Sequence, residues 1–220
     1  MSLSTYGGLK TAVVDWAFNG GALTEAIVAS DILPQVQSMM YMGDGNDIDA
    51  LRVQAMVDSA TITPASGGII TISSQISSTL LGIIEITPTQ MGASSLNYVE
   101  PWQFRKQSDT LMSTTGPQAI YTVEGDFLYL IGPAAVTEVK ARWYEKFTAL
   151  SADGDTDWVL TNAPQIYLNG CLWLACKYTQ DDRAMMFKAD FANAIKAANL
   201  NDGTTRRSGS QLIARPRSVA

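Results

Sequence analysis

Val136-Thr137-Glu138-Val139-Lys140-Ala141-Arg142-Trp143-Tyr144-Glu145-Lys146-Phe147 alternates along its whole length. Val139, Ala141, Trp143 and Phe147 fall on one side, and Glu138, Lys140, Arg142, Tyr144 and Lys146 on the other. A period of two with one apolar side describes a β-strand buried on one face. Immediately downstream the period changes. Ile166, Leu168, Leu172, Trp173, Ala175, Cys176 and Tyr178 make a wide apolar surface at helical spacing, running to about Thr179. Asn162 is the expected N-cap of this helix, with Pro164 in its first turn. Strand followed by helix within some forty residues sets a mixed fold, and the rest of the chain extends it in both directions.

Toward the C-terminus, Asp181-Asp182 place negative charge where another helix begins. That helix carries Met185, Phe187, Phe191, Ala194, Ile195 and Ala198 to about Asn199, and Asn201-Asp202-Gly203 is expected to end it. Toward the N-terminus, Glu124-Gly125 reads as a hairpin between strands at Gln118–Val123 and Asp126–Ile131. Ile69–Ser73 and Leu80–Thr87 are further β-branched runs. Residues 90–116 read as loops around one strand near Tyr98–Phe104. The first sixty residues return to helix. Leu9, Val13, Trp16 and Ala17 mark one helix over 6–18, broken by Asn19-Gly20-Gly21. A second opens at Thr24 and carries Ile27, Val28, Ile32, Val36, Met39 and Met40. Pro34 is expected to kink or split it, because proline removes an amide donor and crowds the preceding turn. A short helix is expected from Asp47 to Val57 after the Gly43-Asp44-Gly45-Asn46 turn.

The expected fold is α+β: a bundle of N- and C-terminal helices with a small central antiparallel β-sheet and an extended C-terminal tail. Its segments are 1–60, 61–150, 151–202 and the tail 203–220.

Composition narrows the function. Charged residues make up 16% of the chain, below the roughly 25% of soluble domains, which suits a protein that covers much of itself with partners. Residues 1–200 hold 11 Lys and Arg against 20 Asp and Glu, whereas 201–220 hold Arg206, Arg207, Arg215 and Arg217 against Asp202. An acidic body is a poor general nucleic-acid binder. A basic tail is suited to ordering on a partner. The chain has no histidine, so the commonest acid–base group and metal ligand is missing. Cys171 and Cys176 are expected to be small buried hydrophobes in a reducing compartment. Met1–Thr5 lacks the basic and apolar run of a secretory leader, and no apolar stretch reaches membrane-spanning length, so assembly in a cytoplasm is expected.

Motifs for chemistry are weak. Asp153-Gly154-Asp155-Thr156-Asp157 starts like a calcium loop, but Trp158 stands where the turn glycine belongs and Pro164 where the bidentate glutamate belongs. Asp44-Gly45-Asn46-Asp47 fails in the same way and reads as a turn. There is no phosphate loop and no GxSxG elbow, and nothing selects a catalytic pair among 21 carboxylates. The expectation is a non-enzyme with no catalytic residue, no metal and no cofactor. Trp16, Trp143, Trp158 and Trp173 are expected as core or interface anchors. Met39, Met40, Met42, Met185 and Met186 are expected mainly as buried filler, with an adaptable interface as the alternative.

The order of elements resembles a family, the head-to-tail adaptors, or connectors, of tailed bacteriophages. The resemblance rests on Thr5-Tyr6-Gly7-Gly8-Leu9-Lys10-Thr11, on Gly116-Pro117-Gln118-Ala119-Ile120-Tyr121-Thr122-Val123-Glu124-Gly125, and on Arg142-Trp143-Tyr144-Glu145 leading to Leu150-Ser151. Its strongest piece is Asp157-Trp158-Val159-Leu160-Thr161-Asn162-Ala163-Pro164-Gln165-Ile166-Tyr167-Leu168-Asn169-Gly170, and Arg206-Arg207-Ser208-Gly209 looks like the tail that follows the last helix. The resemblance implies a ring of about twelve copies in the virion neck, assembled in the host cytoplasm. It implies a portal protein above, a tail or nozzle protein below, and double-stranded DNA passing through the lumen without specific binding. The tail residues Arg206, Arg207, Leu212, Ile213, Arg215 and Arg217 would then reach the portal. A stopper or tail-completion protein is the first alternative, and a tail-associated peptidoglycan hydrolase the second.

Overall fold

A computed structural model describes residues 3–17, 23–65, 68–89, 95–111, 120–131 and 138–207, with the backbone alone at 108–111 and 204–207. The fold is α+β. The chain divides into two compact units: Met1–Ala55 with Phe147–Ala220, which is helical, and Met56–Lys146, which carries the strands.

In the helical unit, α1 (Tyr6–Ala17) buries Leu9, Ala12, Val13 and Ala17, while Trp16 turns outward instead of joining the core. Thr24 caps α2 (Glu25–Ile27), its side chain accepting from the amide of Ile27. Pro34 does not break the helix that follows. A π-helical turn at Val28–Ile32 carries the chain into α3 (Leu33–Met42), and the Leu33 amide donates to the Val28 carbonyl five residues back. Widening one turn lets the helix pass a residue that has no amide to give. Gly43 ends α3 at φ 71°, where a Cβ would lie 2.6 Å from the Ile48 carbonyl, so only glycine fits this cap.

No α-helix forms from Asp47 to Val57. Only a 3₁₀ turn at Gln54–Met56 is present, and Val57 already starts a strand. The amides that a helix would have paired go elsewhere. The Asp44 carboxylate accepts from Asn46, Asp47 and Ile48, and the Met40 carbonyl accepts from Leu51. Asn199 and Asp202 accept from Arg52 and Gln54. Tertiary acceptors on another helix outbid a short local helix of modest propensity.

The helix expected to be capped by Asn162 begins one residue later than the sequence suggests, and a short helix precedes it. Asp157 caps α5 (Trp158–Asn162), accepting from the Leu160 amide at 2.8 Å. Asn162 is the last residue of α5, and Ala163 precedes Pro164 at the start of α6 (Pro164–Thr179). α6 is buried almost all round, from Ile166 to Cys176, because α1, α3 and α7 (Ala184–Arg207) all pack on it. Gln180 closes α6 in the left-handed region at φ 57°. A β-carbon there is strained by about 1 kcal/mol. Gln180→Gly is therefore expected to stabilise the helical unit by about that amount, read as a higher urea midpoint at unchanged slope. A lower midpoint would show that the Gln180 side chain contributes more than the strain removes.

α7 also runs past its expected stop, through Asn201-Asp202-Gly203 to Arg207. Glycine costs a helix interior about 1 kcal/mol relative to alanine, and Asn, Asp and Thr roughly half that or slightly more. The side-chain hydrogen bonds of Asn199 and Asp202 to residues 50–54 hold this stretch against its own propensity.

Among the described residues, the strand unit holds two small sheets rather than one. β1 (Val57–Ile62), β3 (Leu80–Pro88) and β7 (Val139–Glu145) form an antiparallel sheet in the order β1-β7-β3. β2 (Ile69–Thr71), β4 (Asn97–Tyr98), β5 (Ile120–Glu124) and β6 (Phe127–Ile131) form the other, in the order β2-β6-β5-β4, with β4 parallel to β5. Glu124 faces Phe127 across the two-residue turn Gly125-Asp126, and Gly125 takes the φ of 60° that such hairpins require. The inward residues of both sheets share one core: Ile62, Ile86, Val139, Ala141 and Trp143 from the first, Ile70 and Leu128 from the second, with Ile72 and Leu96. Burial of each Ile, Leu or Val among them contributes roughly 1.5–3 kcal/mol. The segment expected to be loop and strand near Tyr98–Phe104 contains α4 (Pro101–Leu111), which packs on β5, buries Phe104 against Tyr129 of β6 and ties Arg105 to the Glu124 carboxylate by two 2.9 Å bonds. Pro101 in the first turn is the helix-start mark that the polar composition of 90–116 obscures.

Candidate interaction surfaces

The tail residues singled out by charge are not brought together by the described structure. Arg206 and Arg207 occupy the last turn of α7, and Leu212, Ile213, Arg215 and Arg217 lie outside the described residues. The carboxylates of the calcium-like run are each engaged in holding the fold. Lys10 pairs with Asp153 at 2.7 Å, and the Tyr6 and Gly7 amides bond the carbonyls of Asp155 and Asp153. Asp155 accepts from the amides of Ala152 and Ser151, which hold its carboxyl below the usual carboxylate range. Asp157, besides capping α5, accepts a 2.7 Å bond from the Tyr167 hydroxyl. Burial, followed by the neighbouring Asp157 charge, pushes the Tyr167 hydroxyl far up, so it remains a donor at any accessible pH. Among the described residues, no three Asp, Glu or Cys side chains gather as a metal site. Cys171 and Cys176 are free and buried, with desolvation raising both thiols, so neither is poised as a nucleophile.

A different surface stands out at one end of the helical unit. The Arg183 guanidinium donates to the Ala17 carbonyl at 3.4 Å, which sets the end of α1 beside the turn between α6 and α7. Trp16 is 51% exposed, Tyr178 63%, Met185 70% and Met186 53%. All four sit at this end: at the close of α1, the close of α6 and the start of α7. Of the five methionines weighed above, Met40 is buried, while Met42, Met185 and Met186 are exposed, against the expectation of filler. Scattered single hydrophobics need no explanation, but four large exposed ones on elements that meet at one end are unusual for a covered core.

The turn beneath this surface is held by charge. Arg183 donates to both Asp181 oxygens, and the hydrogen bonds from its guanidinium and backbone amide draw the Asp181 carboxyl down to about 2. Asp44, at the far side of the loop that Lys188 closes, is also drawn to about 2, chiefly by the amides of Ile48 and Asn46. A depressed carboxylate contributes stability above its unfolded value near 3.8 and loses it as pH falls toward 2. The melting temperature is expected to be flat from neutral pH to about 4 and to fall between about 4 and 2, with a shallower fall in Asp181→Asn. An identical acid profile in that variant would remove Asp181 from the explanation.

A family model described as SU10 adaptor protein matches residues 4–216, nearly the whole chain. No curated protein matches the chain.

Proposed function

We propose that this chain, which belongs to the SU10 adaptor protein family of phage head-to-tail adaptors, assembles as a ring of about twelve copies beneath the portal and joins the capsid to the tail. The family is a structural one and not an enzyme family. The observation that carries the reading is the family match over residues 4–216. The physical features are consistent with it. An acidic, sparsely charged body can line a channel through which DNA slides, because like charge discourages sticking. The exposed Trp16, Tyr178, Met185 and Met186 offer an apolar contact to a neighbouring virion protein. The basic C-terminal segment orders on an acidic portal surface, and repetition around the ring adds weak contacts into avidity. A ring whose channel is lined by Lys and Arg would contradict the lumen part of this reading.

The deciding experiment is the mass of the purified protein, alone and mixed with the portal protein of the same phage. A small species that becomes ring-sized with the portal supports the adaptor role at that joint. A species that ignores the portal and joins a tail protein instead makes it a tail-completion protein. For the tail, removal of residues 208–220 is expected to leave the melting temperature within about two degrees and to weaken portal attachment at least tenfold. Full attachment by the truncated chain would refute the portal-binding role of that segment.

A further inference from the structure

We infer that Asn199 and Asp202 are positioning residues for the basic C-terminal segment: they hold the end of α7 helical against residues 50–54, and so fix the point from which that segment reaches its partner. This rests on the portal-binding reading of the segment given above.

The last buried apolar residue of α7 is Ala198, yet the helix continues to Arg207. Beyond Ala198, the described side chains bury nothing apolar, and Leu200 is 61% exposed. Leu200-Asn201-Asp202-Gly203-Thr204-Thr205 contains five residues of poor helix propensity in six. What attaches this stretch to the unit is polar. Asn199 accepts from the Arg52 amide at 2.8 Å and donates to the Ala50 carbonyl at 3.0 Å, pairing both edges of its amide with one extended segment. Asp202, three residues on and on the same helix face, accepts from the Gln54 amide at 2.9 Å. Residues 50–53 are themselves non-helical, and the amides of Arg52 and Gln54 go to these side chains. The two stretches therefore hold each other, and neither conformation is favoured alone. Helix up to Arg207 gives the basic segment a fixed root. Frayed beyond Asn199, the same segment would hang on a tether eight residues longer (200–207), with a larger volume to search and a lower effective concentration at its target.

The test uses the full-length chain as Asn199→Ala with Asp202→Ala, and Asp202→Asn as the conservative variant that keeps an acceptor for Gln54. Hydrogen exchange at residues 203–207 is expected to speed up more than tenfold in the double variant, and binding to purified portal protein to weaken about tenfold. Asp202→Asn is expected to keep both near the parent values, which a loss caused by charge alone would not allow. Unchanged exchange at 203–207 would show that the helix end holds itself, and would overturn the inference. Faster exchange with unchanged portal binding would overturn it as well. Either outcome, beside a chain lacking 208–220 that fails to bind, leaves the portal reading standing. A truncated chain that binds fully overturns the portal reading itself, and the positioning role with it.

Discussion

Gly170→Val is expected to destabilise the helical unit by about 3 kcal/mol, the upper part of the range for overpacking a filled core. Gly170 lies in the middle of α6, where that helix passes between α3 and α7. A β-carbon built there would sit 2.6 Å from Val36 Cγ1 and 3.1 Å from two ring carbons of Phe191. Neither neighbour can yield cheaply. Val36 is β-branched and stiff in a helix, and Phe191 is fully buried and tilted against Trp173. Gly170→Ala adds the same β-carbon but recovers about 1 kcal/mol of helix propensity, so a net loss of about 1–2 kcal/mol is expected. Combining Gly170→Ala with Val36→Ala removes the nearer clash, and the pair should be less damaging than the sum of the two single changes. Urea unfolding followed by far-ultraviolet circular dichroism measures all of these. A Gly170→Val midpoint equal to that of the parent would mean the helices stand further apart than described.

Trp143→Ala is expected to cost the strand unit about 3–5 kcal/mol. Trp143 sits in the central strand β7, opposite Asp58 on β1 and Ile83 on β3, and is among the largest fully buried side chains. Trp143→Phe should cost much less, about 1 kcal/mol. It keeps an aromatic ring in the same place and deletes an indole Nε1 that is buried without a hydrogen-bond partner among the described residues. An unpaired buried donor is itself a burden of about 1–3 kcal/mol, which offsets part of the lost volume. Because the chain has two compact units, hydrogen exchange at β1, β3 and β7 reads the loss in the strand unit by itself. Equal losses for alanine and phenylalanine would mean that the indole nitrogen is satisfied in solution.

Periodicity in the sequence determined what burial enforces locally. The alternation over Val136–Phe147 became β7, with Val139, Ala141 and Trp143 inward. The apolar surface from Ile166 became α6, ending at Thr179 as expected. The Glu124-Gly125 signal became the β5–β6 hairpin. The sequence of motifs also determined the family, since order and spacing survive where no single motif carries chemistry. Among the functional candidates, the basic charge of the tail is legible in the sequence and its role stays a proposal, and the tryptophans and methionines were legible only as candidates. That Trp16, Met185 and Met186 face outward with Tyr178 depends on which helix faces meet, because α1 and α7 can turn only one side toward α6. The tertiary structure alone decided the features that set local preference against distant partners. Pro34 is passed by a π turn, Asp47–Val57 is drawn out of helix, and α7 is drawn through Gly203. In the last two, the deciding hydrogen bonds join residues about 150 positions apart, as between Arg52 and Asn199 or Gln54 and Asp202. A backbone amide takes whichever acceptor the fold presents, and a local window of sequence contains no record of an acceptor that arrives from the other end of the chain.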